Sequence, residues 1–318
     1  MEKEVTTIFT LQRYLENNFE LYKPEEYNII KAFYEEEQDY VDHLETLESQ
    51  KFELAYINVP YYDLENLFGC ITEIKNFHRF ELPEYAIKCY TIEDIFNYFL
   101  NNKKKLRYYI LDQFTKFQVK FYGKKALYKR FYQNNIDYSL TLPERKIISM
   151  IKYHSYLKTF DHLKDSIILY NTLNYFQDIY KQMQYVKQLA AIQNISKYIC
   201  FYYDTLCIDN FNISIDGAPQ TNYRVYFLDE LILLTTLVQE SKLHMHKIEY
   251  NIRNNKIQFS GGTPEDMNFE IVEYLENNKK RTYIFTADNA SIKSKWVDVI
   301  QNVLYKQFIE QKQKAKTP

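Results

Sequence analysis

The groups that carry out covalent chemistry do not assemble in this sequence. Only five glycines occur among 318 residues, and none sits in a run that could cradle a phosphate. Cys70, Cys89, Cys200 and Cys207 form no C-x-x-C pair. Neither a zinc site nor a disulfide framework is expected of them, and they read as thiols in a reducing compartment. His244 and His246 would share one strand face, but no nearby cysteine or carboxylate cluster completes a metal set. No Ser-His-Asp arrangement stands out by spacing. Neither a metal nor a cofactor is expected.

What remains is charge carried on helices. Glu35, Glu36 and Glu37 form a carboxylate run. It is either a solvated face favoured early in a helix or a source of charge-assisted hydrogen bonds to a partner. Arg145, Lys146 and Lys152 place cations along a second helix, to pair with a partner's carboxylates or to stand in water. Lys181 lies on a third helix and can donate a hydrogen bond but not accept one. The most basic stretch holds Lys103, Lys104, Lys105, Arg107, Lys116, Lys120, Lys124, Lys125, Lys129 and Arg130, interleaved with aromatics. Those aromatics keep helical spacing and are better explained as core. The cations therefore read as a solvated face, with weak contact to an anionic membrane or a partner as the alternative. The net charge of −2 gives no bulk attraction to nucleic acid, which is not expected as a partner.

These groups need elements to position them. A chain of 318 residues suggests about two domains. Its 46% hydrophobic content is enough for full cores. The 32 tyrosines and 22 phenylalanines match the composition of an AT-rich genome and are not read as function. The acidic N-terminus lacks the apolar core of a signal peptide, and the longest apolar run, Leu231 to Val238, is too short to span a bilayer. A soluble, cytoplasmic protein is expected. Its abrupt polar tail is what an excised part of a larger protein would show.

The first two-thirds reads as long amphipathic helices. Ile30, Phe33, Tyr34, Val41, Leu44 and Leu47 recur at helical spacing over residues 25–49. Leu64, Leu67, Phe68, Ile71, Ile74 and His78 mark one further helix, expected to stop before Pro83. Thr91 with Asp94 resembles a capping box opening a third. Leu106, Ile110, Phe114, Phe117, Phe121 and Leu127 follow on residues 103–130, with Gly123 as a break. Pro143 opens another helix bearing Ile147, Ile151 and Leu157. The last, from Leu169 to Ala190, is expected to be the longest. Helices of this length need neighbours, so an elongated all-α bundle is predicted for residues 1–200.

After about residue 205 the period changes to two. Phe211, Ile213 and Ile215 alternate, and Asp216-Gly217 signals a turn. Segments 223–228 and 231–235 flank Asp229-Glu230 as a hairpin. Strands are expected at 244–250, 256–260, 269–274 and 281–287, then a helix over about 289–311 with Trp296, Val299, Ile300 and Leu304 on one face. Residues 201–318 are thus expected to form a small antiparallel β-barrel or sandwich with a C-terminal helix.

Three segments, taken together, resemble a known family. AFYEEEQDYVDHL (Ala32 to Leu44) is similar to the first helix of Dbl-homology (DH) domains, where a Glu stands three residues before a Tyr-Val pair, here Glu37, Tyr40 and Val41. LFGCITEIKNFH (Leu67 to His78) resembles a second DH helix. RVYFLDELILL (Arg224 to Leu234), with Ala287 through Trp296 to Ile300, resembles a pleckstrin-homology (PH) domain. The likeness covers about residues 25–310. DH-PH tandems are exchange factors for Rho-family small GTPases.

The resemblance implies that the chain binds the switch segments of a Rac- or Cdc42-like GTPase, stabilises its nucleotide-free state without covalent chemistry, and regulates actin. It implies recruitment to a membrane or the cortex. Glu37 would accept hydrogen bonds from switch I, with Arg145, Lys146, Lys152 and Lys181 beside it. On that reading Glu37→Ala stops exchange with little loss of stability. Where the family carries Lys-Pro and then Gln-Arg, this chain has Arg145-Lys146 and then Ile148-Ser149, and Lys181 falls where a switch-facing Asn is usual. These departures leave two alternatives open: a DH-PH scaffold that binds a GTPase or cytoskeletal partner without efficient exchange, and a purely structural helical adaptor. Many PH domains hold phosphoinositides with basic residues on the first two strands. Here residues 206–223 contain no Lys or Arg. No headgroup binding is expected at the usual pocket.

Overall fold

A computed structural model describes residues 7–56, 59–123, 139–201, 204–229, 231–238, 243–252, 257–263, 265–275 and 279–314. The chain divides into two compact units, Met1–Lys187 and Gln188–Pro318. No described helix is long and apolar enough to cross a membrane.

The first unit is helical: α1 (Ile8–Asn17), α2 (Pro24–Tyr56), α3 (Tyr61–Phe68), α4 (Ile71–Asn76), α5 (Leu82–Ala86), α6 (Ile92–Asn101), α7 (Lys103–Gly123), α8 (Leu142–Leu157) and α9 (Ile167–Ala190). The longest is α2 at 33 residues, not α9 at 24 as the sequence suggested. Pro24 opens α2 where its missing N–H costs nothing, and Glu25 and Glu26 complement the positive end of the helix. Phe33 packs edge-on to Phe96 and Phe99 of α6 and against Tyr153 of α8, and Phe99 meets Phe176 of α9. These rings tie four helices into one core, and burying each contributes about 1.5–3 kcal/mol.

The helix expected from Leu64 to His78 is broken and extended. Gly69 adopts φ +52°, and a Cβ there would stand 2.7 Å from the Cα of Gln113 on α7, so the chain turns between α3 and α4 where only glycine fits. Beyond α4 the helix does not stop before Pro83. A π turn over Phe77–Glu81 carries it into α5, with Pro83 in the first turn. The wider turn supplies the register in which a proline without an N–H is tolerated. Thr91 caps α6 as expected, its hydroxyl 3.2 Å from the amide of Asp94. The first amide of α6, Ile92, donates at 3.0 Å to the buried Glu26 of α2.

The second unit is a seven-stranded antiparallel sheet in the order β4-β3-β2-β1-β7-β6-β5. Its strands are β1 (Thr205–Ile215), β2 (Thr221–Leu228), β3 (Leu231–Val238), β4 (Leu243–Asn251), β5 (Ile257–Ser260), β6 (Asn268–Tyr274) and β7 (Lys280–Ala287). The five-residue connection between β1 and β2 begins with a turn in which Asp216 (φ +51°) and Gly217 (+79°) take positive φ and the Ala218 amide donates to the Ile215 carbonyl at 3.0 Å. The C-terminal helix α10 (Ala290–Lys314) packs on β1, β6 and β7. The core joins Phe211, Phe227, Phe269, Phe285 and Trp296. Trp296 is fully buried, and its indole N–H donates to Asp209 of β1 at 2.7 Å.

Candidate functional site

Three elements of the helical unit converge on one carboxylate. Glu37 lies on α2 and is fully enclosed. His78 Nδ1, delivered by the π turn, donates to Glu37 Oε2 at 2.6 Å. Lys146 Nζ of α8 stands 2.7 Å from Oε1. That second contact is held by charge rather than direction, since Oε1 has no aligned donor. The Lys146 ammonium also lies over the rings of Phe33 and Tyr40, at 5.9 and 5.3 Å. Burial alone would push the Glu37 carboxyl up, but Lys146 and His78 outweigh it and hold the group down at about 2. The carboxylate is ionised throughout the physiological range and joins α2, the π turn and α8.

The two helices run antiparallel in a fixed register. Lys146 meets Glu37, Ser149 Oγ donates to Glu36 at 3.3 Å, and the hydroxyl of Tyr153 donates to the Ile29 carbonyl at 2.9 Å. Glu144, at the start of α8, ties it to α9 by an ion pair with Lys187 at 2.6 Å and by a hydrogen bond from Gln184 at 3.1 Å.

Of the five residues expected to meet a partner, the structure encloses Glu37 and Lys146 and pairs them with each other. Arg145 is half-buried, and Lys152 is exposed on α8. Lys181 is exposed on α9, its ammonium 5.6 Å from the centre of the Tyr185 ring. Glu37→Ala therefore carries a stability cost that the sequence reading left out. His78 entered that reading only as part of a helical pattern. A His that ends an apolar stripe, one helix away from a Glu on another stripe, was the available signal. Glu36 and Ser149, which bridge the two helices, carried no signal beyond their neighbours.

On α7, Leu106, Ile110, Phe114 and Phe117 are buried, while Lys105 pairs with Glu81, Lys116 with Asp112 and Arg107 with Asp178. The side chains of Lys120 and Phe121, and all of Lys124, Lys125, Leu127, Lys129 and Arg130, lie outside the described residues. A cleft of about 590 Å³ at the start of α2, lined by Leu21, Pro24, Glu26, Tyr90 and His162 among others, stands apart from the α2–α8 face. In the sheet unit, the Asp216 carboxylate accepts the Thr282 amide at 2.8 Å, and Arg224 donates to Gln188 at 3.0 Å while its guanidinium lies over Tyr226. His244 Nδ1 lies 3.2 Å from the hydroxyl of Thr235, and the side chain of His246 is outside the described residues.

No protein-family description matches this chain. No curated protein matches it in sequence. Solved structures do. The DH/PH domains of PDZ-RhoGEF, in complex with GTPγS-activated RhoA, align with a TM-score of 0.53 at 13% identity over 87% of this chain and 93% of that one. The DH/PH domains of p115-RhoGEF give 0.44 at 13% identity, over 86% and 92%. The exchange factor Vav1, in a structure of its PH and C1 domains' structural role, gives 0.44 at 14% identity, over 86% and 81%. The chain has the fold of a DH-PH tandem: a helical bundle, then an antiparallel sheet with a C-terminal helix. Its structural neighbours are DH/PH domains of Rho exchange factors.

Proposed function

We propose that this chain is a guanine-nucleotide exchange factor for a Rho-family small GTPase, acting in the cytoplasm at a membrane or cortex and controlling actin. The reading is carried by the DH-PH fold together with one feature of the bundle. Helices α2 and α8 lie side by side in a register pinned by the Glu37–Lys146 pair, and they turn Glu35, Glu36, Asp39 and Lys152 outward. Exchange needs such a rigid polar face. A protein that binds the nucleotide-free GTPase more tightly than the loaded form expels nucleotide by linkage alone, and any give in the face spends that difference on ordering itself. In this reading Glu37, Lys146 and His78 are positioning residues, and the outward groups touch the partner.

Two observations favour a second reading. The carboxylate matched to the family's Glu is enclosed, and Ile148 and Ser149 stand where Gln-Arg is usual. A scaffold that binds a GTPase without efficient exchange would have this composition. Release of a fluorescent guanine nucleotide from RhoA-, Rac- and Cdc42-like GTPases separates the two. The exchange factor accelerates release from at least one member. The scaffold binds a nucleotide-free member without acceleration.

A further inference from the structure

The cleft of about 590 Å³ lies wholly within the helical unit, where the first turn of α2, the entry to α6 and the segment joining α8 to α9 meet. Its size falls in the range of sites for small organic ligands, roughly 300–1,000 Å³. One carboxylate in its lining is almost out of water. The Glu26 side chain is 7% exposed, and its oxygens accept from the Ile92 amide and from His162 Nε2, each at 3.0 Å. Glu25 is exposed and stands 3.4 Å from Nδ1 of the same imidazole. One ring thus serves two carboxylates. Among the described residues no lysine or arginine forms an ion pair with either of them, although Lys23 also lines the cleft. Leu21, Pro24 and Tyr90 bring apolar surface to the same lining, and Leu21 and Tyr90 stay 54% and 48% exposed. The Tyr90 ring is braced by the buried Tyr22, 5.7 Å away between centroids.

We propose that this cleft binds a small organic ammonium ion, with the charged head on Glu26 and Glu25 and the apolar body against Leu21, Pro24 and Tyr90. The charge of an enclosed carboxylate costs free energy unless a counter-ion meets it. The start of α2 and the Ile92 amide offer only partial positive charge, which leaves Glu26 room for a full one. An ammonium group supplies it, and a neighbouring aromatic ring adds a cation–π contact. An anion would face two carboxylates. A purely apolar ligand would dry the Glu26 carboxylate further and leave it without a cation. The apolar wall excludes a bare inorganic cation as the best fit, because Leu21 and Tyr90 would stay in water. The site is separate from the α2–α8 face and does not depend on the exchange-factor reading.

The test titrates the full chain with three probes of one shape and different head groups: 2-phenylethylamine, 2-phenylethanol and phenylacetate, followed by saturation-transfer NMR. The amine is expected to bind with a dissociation constant of about 1 mM or below, as a good ligand of its size does. The alcohol and the carboxylate are expected to bind at least about tenfold more weakly. Glu26→Gln keeps an acceptor for the Ile92 amide and removes the charge, and should weaken the amine about tenfold. Tyr90→Ala and Leu21→Arg, at exposed positions, should weaken it about threefold or more, the first by removing the ring and the second by placing a cation at the cleft. Glu53→Gln, the same charge change at an exposed site farther along α2, should stay within about twofold. Thermal unfolding is measured for every variant, and if Glu26→Gln does not fold, Tyr90→Ala and Leu21→Arg carry the test. Equal binding of the three probes, no binding of the amine, or an amine affinity that all the cleft variants leave unchanged would each overturn the proposal.

Discussion

Glu37→Ala removes the counter-ion of a Lys146 that is only 8% exposed and leaves the buried His78 Nδ1 without its acceptor. Two routes give the size of the loss. Breaking one side of a buried pair costs about 3–5 kcal/mol, since the surviving charge stays in a dry site. Independently, holding the carboxyl at about 2 rather than 4.5 corresponds to ~3 kcal/mol of stabilisation of the folded state at neutral pH. That contribution is complete above about pH 4.5 and disappears as pH falls from there to about 2, because the folded-state value is the depressed one. For a unit of this size the loss lowers the midpoint of thermal unfolding by roughly 6–20 °C. Guanidinium titration followed by far-ultraviolet circular dichroism measures it. The double variant Glu37→Leu with Lys146→Met replaces both charges by apolar groups of similar volume. It should recover most of the lost stability, because no charge is then stranded. A Glu37→Ala loss under ~1 kcal/mol, or single effects that simply add in the double variant, would refute the enclosed pair and the α2–α8 register built on it.

Three further outcomes follow from particular contacts. Burial lowers the pKa of His154 to about 4, with its Nδ1–H given to the Met150 carbonyl at 2.7 Å, so stability should fall as pH drops from 6.5 to about 4, by up to ~3 kcal/mol; His154→Phe should remove that limb of the pH profile and leave the more acid limb of Glu37. Asp209→Ala strands the buried indole N–H of Trp296 and should cost about 1–3 kcal/mol; as Trp296 is the only tryptophan, its fluorescence follows this unit directly, and an unchanged unfolding midpoint would deny the contact. Vesicles with and without phosphoinositides should bind the chain about equally, and strong headgroup selectivity would instead implicate Lys279, Lys280 and Arg281 at the start of β7.

The sheet unit was legible almost strand by strand, because alternation of period two is a local signal and turn residues such as Asp216-Gly217 punctuate it. The helices were legible as stripes but not in their ends. Gly69 broke a helix through a close approach to Gln113 that no local pattern records, and the π turn carried the chain past Pro83 because His78 and Phe77 pack inward there. Glu37 was singled out by its spacing from Tyr40 and Val41, yet spacing fixes a helical face and not which partner meets it. Lys146 and Glu37 each read as solvated or partner-facing charges. Only the pairing of α2 with α8 reveals that they neutralise one another, a contact spanning 109 residues of sequence.

The measurement that bears most directly on the central claim is the rate of fluorescent nucleotide release from a panel of Rho-family GTPases, with and without the full chain. Acceleration of at least one member, lost in Lys152→Glu and kept in Lys104→Glu, is the predicted result. No acceleration and no nucleotide-free complex across a panel that includes the source organism's own GTPases would contradict it.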